Sequence, residues 1–168
     1  MLIDTHVHVV SDDEERYPLQ PFGSGEAADF LQPGAGWHRE ARLTTPALLA
    51  AMDTAGVDRA LLVQALSAYG DDNYAADSAA VHPERFASVG IVGVDDAEPA
   101  VRRAYWVEER GVGDARLFGW KDGGVTGPDD PRLVPLWESA RKLGVPVVIF
   151  VSGTALALWR ELRREPGG

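Results

Sequence analysis

Cysteine is absent from the 168 residues, which excludes disulfides, thiolate metal sites and a cysteine nucleophile. Positive charge is scarce: 16 Lys and Arg stand against 26 Asp and Glu, a formal charge of −10. Phosphate backbones and anionic lipids reward clustered positive charge, so neither nucleic acid nor a membrane surface is an expected partner. No apolar run approaches the roughly 18 residues of a membrane span. The opening Met1-Leu2-Ile3-Asp4 lacks the basic-then-apolar plan of a secretory signal, and the expectation is a soluble, cytoplasmic protein with a small-molecule substrate. What is present is an ordinary globular balance, 45% apolar and 25% charged, enough for one domain over residues 1–168 with a real core.

Periodicity organises the chain into strand–helix units. Leu2 to Val10 alternates, with Asp4, His6 and His8 on one face and Ile3, Thr5, Val7 and Val9 on the other. Ser11 to Arg42 reads as a long loop rich in Asp, Glu, Gly and Pro. Thr44 or Thr45 with Pro46 starts a helix that Gly56 ends, and Arg59–Gln64 is a short apolar strand. Helices are expected over 71–81, 98–110, 132–143 and 154–164, and strands over 86–92, 112–118 and 145–151. Repeated βα units imply a parallel sheet covered by helices. The later strands begin about 29 residues apart, and eight such units would need roughly 250 residues. The α/β fold is therefore either an open doubly wound sheet or a barrel of which only five units are present.

The strongest chemical signal is His6-x-His8. Same-face residues on a strand lie about 6.6 Å apart, close enough for two imidazoles to converge on one ion or one substrate. Neutral imidazole suits zinc and similar divalent metals, which polarise carbonyls and acidify water. Asp4, one step deeper on the same face, is placed to orient a ligand or to support the layer beneath. The plainer alternative is a pair of histidines hydrogen-bonded at a strand end.

Ile3-Asp4-Thr5-His6-Val7-His8 resembles the opening strand of the amidohydrolase superfamily, in its amidohydrolase-related branch of lactonases, pyrone dicarboxylate hydrolases and decarboxylases. The resemblance continues through Arg16-Tyr17-Pro18, Gln64 with Tyr69-Gly70 and Asn73, His82-Pro83-Glu84-Arg85-Phe86, Gly111-Val112-Gly113 with Arg116-Leu117, and Leu143-Gly144-Val145-Pro146-Val147. It implies a (β/α)8 TIM barrel, here about five βα units of a domain incomplete at its C-terminus. It also implies His6 and His8 as catalytic residues that bind a divalent metal such as zinc, or that polarise the substrate directly. Metal-dependent members carry a further ligand, commonly His, near the end of the fifth strand. Phe150 stands there and cannot ligate. The family's sixth-strand histidine and eighth-strand aspartate would lie beyond Gly168.

Arg116, near the C-terminal end of the fourth strand, suits a substrate carboxylate, though a surface ion pair would also explain it. Gln64, Tyr69 and Asn73 are substrate-binding candidates whose plain alternatives are loop hydrogen bonds, turns and helix starts. His82 reads as a helix end, His38 as a loop residue, and Ser11–Glu15 as a solvated run without a calcium-loop spacing. Trp106, Trp137 and Trp159 read as packing. Gly34-x-Gly36 lacks the strand and lysine of a phosphate loop. Three functions follow: hydrolysis of a small carboxylated lactone or related ester or amide, metal-dependent non-oxidative decarboxylation, or a non-catalytic partial barrel that self-associates through its open edges.

Overall fold

The alternating units fold as predicted into strands β1 (Ile3–Val7), β2 (Arg59–Val63), β3 (Phe86–Ile91), β4 (Asp114–Gly119) and β5 (Val147–Val151). The computed structural model describes residues 1–19, 41–65, 73–92, 98–119 and 129–151. The expected helix over 154–164, with Phe22, Phe30, Gly34, Gly36, Trp37, His38 and Trp159, lies outside them. The strands form one sheet in the order β1-β2-β3-β4-β5, every neighbouring pair parallel. A doubly wound sheet reverses its strand order at a switch point. This order never reverses, so the described chain is a sector of a (β/α)8 barrel.

Local chemistry sets the helix ends. Helix α1 (Thr45–Ala55) begins after extended Thr44 with Pro46 in its first turn, and stops at Gly56, whose φ of 69° is left-handed. In α2 (Tyr74–Val81) the Asn73 side chain accepts the amide of Ala76 at 3.1 Å, and the chain leaves at His82, whose own amide bonds back to Ser78. The helix expected over 98–110 is not uniform. An α-helical segment, α3 (Pro99–Ala104), widens into a π-helical turn over Tyr105–Glu109, closed by the Arg110 amide on the Tyr105 carbonyl at 3.3 Å. A 3₁₀ turn at Pro131–Leu133, capped by Asp130, leads into α4 (Val134–Leu143), which ends at left-handed Gly144.

Two strands start later than the apolar runs suggest. The Val112 amide bonds back to the Trp106 carbonyl at 3.0 Å and the Val145 amide to Ala140 at 3.2 Å. Those residues complete the preceding helices, and pairing begins at Asp114 and Val147.

The core lies between sheet and helices. One cluster packs Val9, Ala60, Leu62 and Phe86 against Leu48, Met52, Ala75 and Ala79. Another packs Val92 and Val112 against Trp106, Leu133 and Leu136. Burying a side chain such as Leu62 or Leu136 contributes about 1.5–3 kcal/mol each. Among the described residues no helix is long and apolar enough to cross a membrane.

Candidate functional site

Ladder register decides which side chains face away from the helices. Ala60, Leu62 and Phe86 belong to the helix-packed cluster, and Ala60 pairs with Phe86, so matched residues share that face. The opposite, inner row runs through Val63 and Val89, then Ile91, Arg116 and Val148. On β1, Asp4 pairs with Ala60 and Val7 with Leu62, so three steps on one strand match two on the other. This bulge shifts the alternation. Strict alternation put Asp4 on the His6 and His8 face; instead Asp4 pairs into the helix-facing register, and its carboxylate accepts the His6 amide at 3.0 Å. Val7 and Val9 then pack toward the helices, leaving His6 and His8 on the inner face.

The two imidazoles meet edge to face, with centroids 5.0 Å apart and planes at 89°. His8 Nδ1 lies 2.7 Å from the Val63 carbonyl oxygen. A carbonyl only accepts, so Nδ1 carries the proton and the lone pair resides on Nε2. Burial lowers the pKa of His6, the Arg116 guanidinium lowers it further, and Asp4 acts in the opposite sense. Burial also lowers His8; the Val63 bond opposes this, and His6 and Arg116 reinforce it. Both rings are therefore held neutral at pH 7. Arg116 is itself 6% exposed, and its guanidinium carbon sits 4.9 Å from the Phe150 ring centroid. The site thus brings two neutral imidazoles and one buried cation together on one face.

Two further candidates, Gln64 and Asn73, bond to each other. Gln64 and Asn73 are 2% and 0% exposed. The Gln64 carbonyl oxygen accepts from Asn73 Nδ2 and from the Ile91 amide, both at 2.9 Å, while Asn73 Oδ1 caps α2. These bonds tie the end of β2 to β3 and to the start of α2. Tyr69 lies outside the described residues.

A second polar cluster had no sequence signal beyond a helical carboxylate. Asp77 on α2 accepts the Tyr17 hydroxyl at 2.6 Å, Arg16 at 3.4 Å, and Arg110 from the π-helical turn. It anchors the first loop to two helices beside a cleft of about 390 Å³ lined by Ser11, Tyr17, Tyr74 and His82 among others. The run expected to be solvated is exposed at Asp12, Asp13, Glu14 and Glu15 and forms a turn: Ser11 is buried and accepts the Asp13 amide, Asp13 accepts the Arg16 amide, and Glu14 pairs with Arg42.

A divalent ion needs four or more donors, and His6 and His8 supply two. No group of three His, Cys, Asp or Glu that could hold an ion occurs among the described residues. A dication there would also sit beside a guanidinium close enough to depress both rings. The described residues do not complete a metal site.

The family model described as amidohydrolase matches residues 3–166. Among curated proteins no relative matches. Solved structures share the fold at low identity. A probable 2-pyrone-4,6-dicarboxylic acid hydrolase from Acinetobacter baumannii, with citric acid bound, superposes with a TM-score of 0.66 at 15% identity, over 97% of this chain and 54% of that one. A 5-carboxyvanillate decarboxylase from Novosphingobium aromaticivorans, with bound manganese, gives 0.64 at 16%, over 89% and 50%. A 4-oxalomesaconate hydratase from Rhodopseudomonas palustris gives 0.59 at 17%, over 96% and 56%. This chain spans about half the length of these structures.

Proposed function

Because the chain belongs to the amidohydrolase family, we propose that it contributes the His6, His8 and Arg116 side of a hydrolase acting on a small carboxylated lactone or a related ester or amide. The observation that carries this reading is the buried Arg116 guanidinium acting on both neutral imidazoles from the same inner row. Arg binds carboxylate through its planar fork. With the carboxylate held there, the scissile carbonyl lies against the histidines. His6 donates a ring N–H to the carbonyl oxygen, where negative charge develops. His8, its Nδ1 proton committed to Val63, offers Nε2 to take the proton of the attacking water. The water oxygen bonds to the carbonyl carbon, the ring C–O bond breaks, and His8 returns its proton to the leaving ring oxygen, which gives a hydroxy acid. Gln64 and Asn73 position the β2 end in this reading and do not touch substrate.

The second reading is a decarboxylase in which His6 and His8 help hold a divalent metal, favoured by the manganese-bound decarboxylase among the similar structures. Two assays separate the readings: acid release from carboxylated lactones after chelation, and carbon dioxide release from hydroxylated aromatic acids with added manganese. Chelation-resistant lactone opening is the expected result. Manganese-dependent carbon dioxide release would replace it with the second reading, and no turnover in either assay would favour a non-catalytic partial barrel.

A further inference from the structure

We infer that Asp4 is a positioning residue: its carboxylate, bonded to the His6 amide, holds the β1 bulge that turns His6 and His8 onto the inner face. The inference rests on His6 and His8 being the working groups of the proposed site. Asp4 pairs with Ala60 and therefore lies in the helix-facing row. Side chains on an unbroken strand repeat every two residues, so His6 and His8 would follow Asp4 into that row. There they would enter the apolar cluster of Leu48, Met52, Leu62 and Phe86. Instead Val7 pairs with Leu62, three residues on from Asp4 against two on β2. The extra residue sends Val7 and Val9 into the cluster and both imidazoles to the other side.

The bulge carries its own clasp. Asp4 Oδ1 accepts the His6 amide at 3.0 Å, from a side chain only two residues back. Short Asp and Asn side chains make this bond to their own backbone, and it competes with the regular strand ladder. A bulge disrupts the ladder, so an acceptor supplied on the spot favours the bulged register over the unbroken one. The far side of the bulge shows what depends on it. Continuing from Val7 and Leu62, His8 falls in step with Val63, and its Nδ1 lies 2.7 Å from that carbonyl. Counted from Asp4 and Ala60 without the extra residue, His8 would stand opposite Gln64 and lose that bond. Asp4 thus acts on the histidines through the backbone, from outside their row.

The test is NMR of the full chain near pH 7.5 with Asp4→Ala, Asp4→Asn and Asp4→Glu. It reads solvent exchange of the His6 amide, the contact between His6 and His8 ring protons, and the His8 Nδ1–H signal. Asparagine keeps the acceptor and drops the charge; glutamate keeps the charge and displaces the acceptor by a methylene. In Asp4→Ala and Asp4→Glu the His6 amide should exchange on the order of tenfold faster, and the ring contact and Nδ1–H signal should weaken. Asp4→Asn should retain all three. Lactone opening should follow the same order, with kcat lower by about tenfold in the alanine and glutamate variants. If Asp4→Ala does not fold, the asparagine and glutamate variants decide the same question. An unchanged ring contact in Asp4→Ala or Asp4→Glu, or its loss in Asp4→Asn, would overturn the inference. Loss of the contact in Asp4→Ala, with no lactone opening by the unaltered chain, would keep the role of Asp4 and remove the proposed reaction.

Discussion

His8 and Val63 are locked together across two neighbouring strands, with imidazole Nδ1 2.7 Å from the carbonyl oxygen. The bond fixes the tautomer of a ring that sits at the centre of the site. Nitrogen-resolved NMR of the histidines should show His8 protonated at Nδ1 and lone-paired at Nε2 near pH 7.5. An Nε2–H tautomer would contradict the proton-accepting role given to His8.

Gln64 links two strands and a helix start through one carbonyl oxygen. Gln64→Leu leaves the Asn73 amide and the Ile91 N–H without that acceptor in a buried setting, at about 1–3 kcal/mol for each unsatisfied group. Urea denaturation should show a loss of about 2–4 kcal/mol. An unchanged midpoint would show that the oxygen is not needed to brace the sheet and would reopen a substrate role for Gln64.

Asp77 gathers Tyr17, Arg16 and Arg110 around one carboxylate. Asp77→Ala should cost about 2 kcal/mol, most of it from the charge-assisted bond to buried Tyr17, because exposed Arg16 adds little through solvent. Limited proteolysis should then open the first loop before the rest of the chain. A variant as stable and as resistant as the original would remove Asp77 as the anchor.

Tyr17 also sets an alkaline limit. Burial, then the hydrogen bond to Asp77 and its charge, raise the phenol pKa above the ordinary 10.0. The folded state therefore favours the protonated phenol. The unfolded chain loses that proton first, so the contribution is intact below pH 10 and declines as pH rises beyond it. Stability followed from pH 8 to 11 should fall in the upper part of the range, and less steeply in Tyr17→Phe. Parallel curves for the two proteins would contradict the assignment.

Much of this was legible in the sequence, and the boundary has physical causes. Strand and helix order follows from local periodicity, and Gly56 and Gly144 end their helices as glycines at that position do. His6-x-His8 was visible because side chains two apart on a strand share a face. The bulge that takes Asp4 off that face depends on the pairing with β2, which no local pattern encodes. The π-helical turn before Arg110 and the late start of β4 depend on where Trp106 packs. Arg116 was recognisable as a candidate anion ligand, but its seat on Phe150 comes from the register of two strands about 30 residues apart in sequence. In the sequence Phe150 shows only that it cannot ligate; its contact with Arg116 follows from the pairing of β4 with β5. Asp77 had no local signal, since its partners come from distant segments.

We propose that His6 and His8 activate a carboxylated lactone held by Arg116 without recourse to a divalent metal. The most direct test is the rate of lactone opening by the chelated protein, compared with the same measurement on His6→Ala. Removing a donor to the developing oxyanion typically costs 10²–10³ in rate, so a loss of about that size with unchanged thermal stability is expected. Equal rates in the two proteins, or activity that disappears on chelation and returns only with manganese, would contradict it.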